Sequence, residues 1–453
     1  QSSFVTTRVS LHTLGCRLNH SESESLSHQL SQQGYQIVPE NAEADLYIVN
    51  TCTVTGASDS KNRQLIRSLH RRMPQAHIVV TGCQAQMEPE AMAALPGVSL
   101  VVGNEAKHQI ANWLPQLDGS QESTKVVHNK IRRLPFSLPL TFAEEAKEER
   151  LKGLTRGQLK IQDGCDFMCS FCIIPFARGR SRHREFANLC AEAEQQVASG
   201  IQEIVLTGVN LGTYDIHGRN LVDIIDFLDS LKDLQRIRIS SIEPTTVDPG
   251  LLERMGDQSH KLVPFLHLPI QSGSNRILEL MKRRYNSLEY ACEVEEAVQK
   301  IPDLCVGADV MVGFPSEGEL EFKETLNLLA SLPISYLHVF PFSERVGTPA
   351  TRLSAKVSPE DKRARAALLR ELSQSLRHNF MQRFVGTSRR VLLEVPKPDG
   401  RLGGYTDNYL RVQLNTTRHK DLHSNRLIPV QLESIRGDVL LGTPLTSAEK
   451  AAN

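Results

Sequence analysis

The sequence predicts an α/β chain in three parts: an N-terminal open parallel α/β domain, a central partial (β/α)6 barrel and a C-terminal small β-barrel. Three observations predict it. Strand-like runs at residues 9–14, 45–50 and 77–81 are each followed by a helix-compatible stretch; six further runs alternate with helical stretches between 158 and 340; the final segment breaks into short strands. With 453 residues the chain has room for roughly two to four domains. Its 40% hydrophobic and 23% charged residues fall in the globular range. Lys plus Arg and Asp plus Glu both total 52, so no global field draws it to nucleic acid or anionic lipid, and any such binding is local. No apolar run reaches the length of about 18 residues needed to span a bilayer, so no membrane partner is expected. The first 14 residues lack the apolar stretch of a secretory signal.

The N-terminal domain is assigned to residues 1–118. Each of its three strand-like runs ends at a cysteine: Cys16 in TLGC, Cys52 in VNTC and Cys83 in VTGC. In a parallel sheet with right-handed crossovers the carboxyl ends of the strands share one edge, which brings these distant cysteines within reach of one another. From 119 to 150 the periodicity fades and the charged run EEAKEER closes a linker. The barrel is assigned to 151–380, with strands at 158–162, 203–207, 236–241, 265–270, 307–312 and 336–340 and its chemistry at their carboxyl ends. A polar, basic helix over 359–383 leads to the last module, 383–448. There, strands at 391–395, 410–414, 428–432 and 438–441 flank a Gly-rich turn at 400–404. Ten Lys/Arg against six Asp/Glu suit this module to RNA.

The strongest chemical signal is GCDFMCSFC, which places Cys165, Cys169 and Cys172 in one loop after the first barrel strand. Three thiolates can hold three irons of a cubane that normally takes four cysteines, leaving one iron open. An open position marks a catalytic rather than a structural metal site. A zinc knuckle is the competing reading, but no fourth Cys or His follows at zinc spacing, and the nearest candidate, His183, lies inside an arginine run. For Cys16, Cys52 and Cys83 the competing reading is three buried small apolar residues. Nine cysteines, an odd number, suit metal ligation in a reducing compartment, so a cytoplasmic location is expected.

The C-x-x-x-C-x-aromatic-C loop, with Phe171 as the aromatic, resembles that of the radical S-adenosylmethionine enzymes. The resemblance implies that the open iron is chelated by S-adenosylmethionine, which one electron cleaves to a 5′-deoxyadenosyl radical. TLGCRLNHSESES, VNTCTVTGASDSKNRQLIR, CIIPFARGRSR, EIVLTGVNLGTY, RIRISSIEP, HLPIQSGS and HVFPFSERVGTPA together resemble the methylthiotransferase family over nearly the whole chain. TLGC-x-x-N and NTCTVT are most similar to the branch that acts on N6-threonylcarbamoyladenosine at position 37 of tRNA. GFPSEGELEF departs from the Gly-Glu-Thr that this family more often carries after the proline. The resemblance implies two 4Fe-4S clusters. One, on Cys165, Cys169 and Cys172, makes the radical; an auxiliary one, on Cys16, Cys52 and Cys83, carries sulfur for insertion into a C–H bond. It further implies a C-terminal TRAM barrel, the tRNA anticodon stem-loop as partner, a reductant such as flavodoxin or ferredoxin, a separate sulfur donor and a monomeric enzyme.

Further candidates follow from position. Phe171 in the cysteine loop, Gly208 and Asn210 in the loop after the second barrel strand, Glu243 in SSIEP, and Gln271 and Ser272 after the fourth strand are expected on the cofactor side, Glu243 as acceptor of ribose hydroxyls. Arg178, Arg180, Arg182 and Arg184, beside the cluster loop, are candidate contacts to substrate phosphate or carboxylate, against the reading of a solvated charge run. Lys61, Arg63, Arg67, Arg71 and Arg72 are candidate contacts to the tRNA backbone. His12, His267 and His338 read as rim or core histidines, and Cys190, Cys292 and Cys305 as buried structural ones. Asp309 is equally a buried structural carboxylate or a substrate contact. No G-x-x-x-x-G-K loop supports ATP chemistry. Two competing functions stand beside the leading one: the same chemistry on isopentenyladenosine or a ribosomal protein, and a non-catalytic iron–sulfur RNA-binding protein.

Overall fold

The computed structural model describes residues 7–117, 124–140, 155–396, 400–415 and 422–445. Its N-terminal part is a six-stranded, all-parallel sheet in the order β2-β1-β3-β4-β5-β6. The strands are β1 (Arg8–Thr13), β2 (Gln36–Val38), β3 (Leu46–Thr51), β4 (His77–Gly82), β5 (Val98–Val102) and β6 (Lys125–Val127). Every residue of the apolar run in β3 is buried, as expected for a central strand covered on both faces. The helices α1 (Arg17–Gln32) and α2 (Gly56–Arg72) follow β1 and β3. The sheet extends past residue 118, because β6 comes from the stretch expected to be linker. Three residues at an edge are too few to show a period, and only the parallel pairing of Val126 with Val101 reveals the strand.

Six parallel strands form the centre as two hydrogen-bonded triplets. Gly157–Lys160, Glu203–Thr207 and Arg236–Ile239 make one; Phe265–His267, Cys305–Val312 and Tyr336–Pro341 make the other. A bridge from Ile237 to Leu262 connects them. The six elements are the expected ones, although the fourth strand stops at His267, short of Pro269. One set of alternating residues, including Leu159, Leu206, Ile237, Leu266, Val310 and Leu337, packs outward into a single large core with the helices.

The C-terminal module is a closed five-stranded barrel of Ser388–Leu393, Gly403–Thr406, Arg411–Leu414, Val439–Pro444 and Leu427–Arg436. Here the sequence reading needs one correction: Gly403–Thr406 is a strand, not part of a turn. Its glycines let the Leu392 backbone approach closely, a role that resembles a turn signal when read from composition. The barrel shares its core with Val263, Phe265, Cys305, Phe380 and Phe384, so it sits beneath the amino ends of the central strands. Arg236 fixes it there by donating to the carbonyls of Arg390 (2.6 Å) and Tyr405 (3.1 Å). Tyr409, held at φ 64°, joins all three parts: its hydroxyl accepts from Arg17 (3.2 Å) and Arg156 (3.3 Å), and Arg238 lies 4.7 Å above its ring.

The N-terminal domain spans the open side of the partial barrel, touching both edges. At one edge, Glu22 of α1 accepts from Lys107 (2.5 Å), Lys160 (2.7 Å) and Arg178 (2.9 Å). Asp163 accepts from Lys160 (2.6 Å) and Arg178 (3.1 Å). At the other, Arg345 donates to Asp59 (2.5 Å) and to the Thr53 carbonyl (3.0 Å), and Gly56 N–H donates to Ser343. Among the described residues no helix is long and apolar enough to cross a membrane.

Burial alone would raise the Glu22 and Asp163 carboxyls, but the surrounding cations hold both well below the usual range. Their stabilising contribution is therefore full above an unfolded pKa of about 4 and lost as pH falls below it. Acid titration of the folded protein, followed by tryptophan fluorescence and circular dichroism, should show domain separation beginning below that value. Arg178→Met should cost about 3–5 kcal/mol in urea unfolding, because it leaves two buried carboxylates short of a partner.

Candidate active site

Neighbouring strands β1, β3 and β4 carry the first cysteine trio to one sheet edge, where Thr13 pairs with Asn50 and Asn50 with Thr81. Cys16 is exposed at the start of α1, Cys52 is buried just after β3, and Cys83 is buried at the start of the short helix Cys83–Met87. Three of the six motif cysteines follow a glycine with positive φ (Gly15, Gly82, Gly164), which lets the chain turn sharply from strand to ligand. At Gly15 the need is acute: a Cβ would stand 2.6 Å from Cys52 Cβ and 2.8 Å from its sulfur. Burial pushes the Cys52 thiol up to about 11, and the fields of Cys83 and Cys16 add to the shift, so the three sulfurs sense one another.

The second trio sits in the loop after the first barrel strand. Burial pushes Cys165 up to about 11 and Cys172 up to about 12; Cys169 also rises with burial, but Arg283 opposes the shift. Arg283 Nη1 lies 3.2 Å from Cys169 Sγ, and its other nitrogen donates to Glu243. Phe171 packs edge-on to Phe314 and anchors the loop to an apolar group that includes Met281 and Phe342. Met168, between two of the cysteines, is held at φ 51°, a strained conformation that the surrounding fold enforces.

Elements that carry the two trios pack together. Helix Cys83–Met87 packs on Ile174–Ala177, the turn that follows Cys172. Asn104 bridges them, its Nδ2 donating to the Ala177 carbonyl (2.7 Å) and lying 3.7 Å from Cys83 Sγ. Arg178 and Lys107, both buried, are close enough to Cys83 to feel its charge. All nine cysteines are free thiols. No three of them bring their sulfurs within 4.8 Å of one another among the described residues, so the trios do not form compact single-ion sites. Thiolates directed to separate irons of a cubane need no such crowding. These soft donors fit iron–sulfur clusters, whose loading displaces the thiol protons that burial retains.

The structure sorts the remaining candidates. Gln162 Oε1 accepts from the N–H groups of Val209 and Asn210 (2.8 and 3.0 Å), and a Cβ on Gly208 would collide with the same atom. Asn210 accepts from Thr246, while its Nδ2 and the Thr207 hydroxyl are buried without a hydrogen-bond partner. Such orphaned polar atoms at a strand end suit a polar cofactor lying across it. Glu243 is at the expected place, but its carboxylate is engaged by Arg283. Gln271 takes a left-handed backbone (φ 68°) and donates through N–H to the Asp309 carbonyl. Ser272 is fully buried and bonded to Thr325 at 3.2 Å, so it shapes the loop rather than facing a ligand.

The arginine run is also corrected. Arg178 is buried in the ion network with Glu22 and Asp163; Arg184 is fully buried against Glu192 and Asn188; Arg182 pairs with Glu105 and Asp163. Glu22 and Glu105 lie far away in sequence, and Glu192 lies eight residues beyond Arg184 in the next helix, so none falls inside the run that reads as a free positive face. Only Arg180 is half exposed, converging with Arg133 on Asp166. Lys61, Arg67, Arg71 and Arg72 are exposed along α2. Arg283 carries no sequence motif that would have singled it out.

Residues 8–103 match the Uncharacterized protein family UPF0004, and residues 159–329 match the Radical SAM superfamily. The chain is 38% identical to the Threonylcarbamoyladenosine tRNA methylthiotransferase MtaB of Bacillus subtilis, covering 90% of each chain. It is 34% identical to the tRNA-2-methylthio-N(6)-dimethylallyladenosine synthase of Zymomonas mobilis, covering 85% of each. The radical S-adenosylmethionine methyltransferase TsrM of Kitasatospora setae shares the fold, with a TM-score of 0.53 at 16% identity over 74% of this chain and 75% of that one.

Gly15→Ala should push Cys52 out of line with its neighbours. If each trio holds a cubane, iron taken up on anaerobic loading should fall by about half. Gly34→Ala, which has a similar φ but no atom within 4 Å, serves as the control and should leave uptake unchanged.

Proposed function

The chain belongs to the radical S-adenosylmethionine methylthiotransferase family, enzymes that transfer sulfur-containing groups, and from that premise we propose that it places a methylthio group on carbon 2 of N6-threonylcarbamoyladenosine at position 37 of tRNA. The observation that carries this reading is the pair of cysteine trios on packed elements, bridged by Asn104. When bound, two 4Fe-4S clusters and S-adenosylmethionine supply one-electron cleavage of a sulfonium at one trio and an iron-held sulfur at the other, with one further molecule of S-adenosylmethionine as methyl donor.

The protein's own residues set the stage for that chemistry. Cys165, Cys169 and Cys172 hold the radical-generating cluster; Cys16, Cys52 and Cys83 hold the auxiliary one. Arg283 steadies the Cys169 sulfur and the Glu243 carboxylate together, placing a cation beside anionic thiolates. Asn210 Nδ2 and the Thr207 hydroxyl, both buried without a partner, offer donors to the cofactor. The N-terminal domain covers the open side of the barrel and is bonded to both of its edges. Exposed Lys61, Arg67, Arg71 and Arg72, with Arg180 and Arg133 on the loop rim, suit the tRNA phosphates, giving affinity rather than identity.

The relatives named for threonylcarbamoyladenosine support the substrate, and the dimethylallyladenosine enzyme supplies the competing one. Reconstituted enzyme should therefore be given tRNA bearing each base and the digested nucleosides weighed. A methylthio mass gain confined to the first base is expected; a gain only on the second overturns the substrate. Cys169→Ala should abolish 5′-deoxyadenosine formation. Cys52→Ala should abolish methylthiolation while 5′-deoxyadenosine is still made, and retained methylthiolation in that variant would refute the division of labour between the trios.

A further inference from the structure

A polar group inside the barrel is not accounted for by the cluster chemistry. Leu266, Ala308, Val310 and Leu337 pack outward against the helices, so the alternating residues His267, Asp309 and His338 turn into the lumen. There they meet. His267 Nε2 lies 2.9 Å and His338 Nδ1 3.3 Å from the same oxygen, Asp309 Oδ1, while His267 Nδ1 lies 3.1 Å from the Tyr336 hydroxyl. The backbone makes room for this contact at Gly307, where a Cβ would stand 2.2 Å from the Tyr336 ring and 2.7 Å from His267 Nδ1. Burial would raise the Asp309 carboxyl, yet the two imidazoles that donate to it hold it well below the usual carboxylate range. Side-chain exposure rises from 11% at His267 through 28% at Asp309 to 55% at His338, so the group opens into the lumen at its His338 end.

This group adjoins the cysteine loop. Arg283, which touches Cys169, also reaches the carbonyl of Pro269, two residues beyond His267, and Glu243 feels the charge of Asp309. A charged acceptor flanked by two imidazoles is poorly matched to an apolar substituent, which would desolvate it without replacing its hydrogen bonds. It matches a substituent that offers an N–H or O–H to Asp309 and a carboxylate to His338, whose Nε2 donates when the ring is protonated. We propose that His267, Asp309 and His338 form the subsite that recognises the ureido and carboxylate groups carried by the target base. This assignment rests on the threonylcarbamoyladenosine reading above and names the residues that select it.

The test compares anticodon stem-loop RNAs bearing threonylcarbamoyladenosine, isopentenyladenosine or plain adenosine. Binding to the iron-loaded enzyme is followed by fluorescence anisotropy, and methylthiolation by nucleoside mass. His338→Ala, at a residue more than half exposed, and Asp309→Asn should each shrink the preference for the threonylcarbamoyl RNA over the other two by about tenfold or more, in Kd and in kcat/KM alike. A merely structural role would weaken all three RNAs together, and an unchanged preference ratio overturns the assignment while leaving the substrate reading intact. A wild-type enzyme that modifies only the isopentenyl RNA removes the substrate reading and this assignment with it. The same three ligand atoms lie within 4.8 Å of one another, so a divalent cation is the rival occupant. One equivalent of cobalt(II) bound by the iron-loaded enzyme, and lost in His338→Ala, would overturn the recognition role.

Discussion

Arg178 is the residue on which the relation between the two cysteine trios turns. It belongs to the barrel, six residues beyond Cys172, yet its guanidinium is buried against Glu22 and Asn19 of the N-terminal helix. Lys107 and Lys160 add two more cations to the same pair of carboxylates. A buried network of this kind is weak evidence for net stability, since desolvation offsets much of the attraction. Its value is specificity: the charges are satisfied in one docking of the domains, and a rotation or slide would strand several at once. The facing of Cys83–Met87 against Ile174–Ala177 depends on that single arrangement.

The electrostatics of the trios follow from the same packing. Low-dielectric surroundings favour protonated thiols, as the upward shifts of Cys52, Cys165 and Cys172 show, whereas metal ligation requires thiolates. Cations at fixed positions relieve the conflict. Arg283 serves Cys169, while Arg178 and Lys107 stand near Cys83. The cations that join the domains therefore also line the surroundings of one motif cysteine, and interdomain docking and the setting of Cys83 cannot be altered independently.

Much of this was legible in the sequence because it is local or periodic. Cys165, Cys169 and Cys172 share one loop, and Cys16, Cys52 and Cys83 end strands that a parallel sheet places side by side. The six barrel strands show as apolar runs of ordinary length. Long-range pairing was not legible. Arg178 and Arg182 read as part of a free positive run because Glu22 and Glu105 lie elsewhere in the chain, whereas Glu192, the partner of Arg184, is only eight residues further on. His267 and His338 each read as a lone strand histidine, and only the register of three strands brings them to Asp309. β6 and the strand at Gly403–Thr406 escaped notice because three residues show no period and glycines signal turns.

The attachment of the small barrel has a consequence for reach. Its core is continuous with the amino ends of the central strands, and Arg236 ties it there through two backbone carbonyls, so it is a footing rather than a hand on a tether. A tethered module samples many positions and loses entropy each time it fixes one; a footing has already met that cost during folding. The distance from the footing to the cysteine end is the height of the barrel, set by strands of three to eight residues and so about 10–26 Å. Such a molecule is built as a caliper: whatever lies against the small barrel stands at a set interval from the cysteine end.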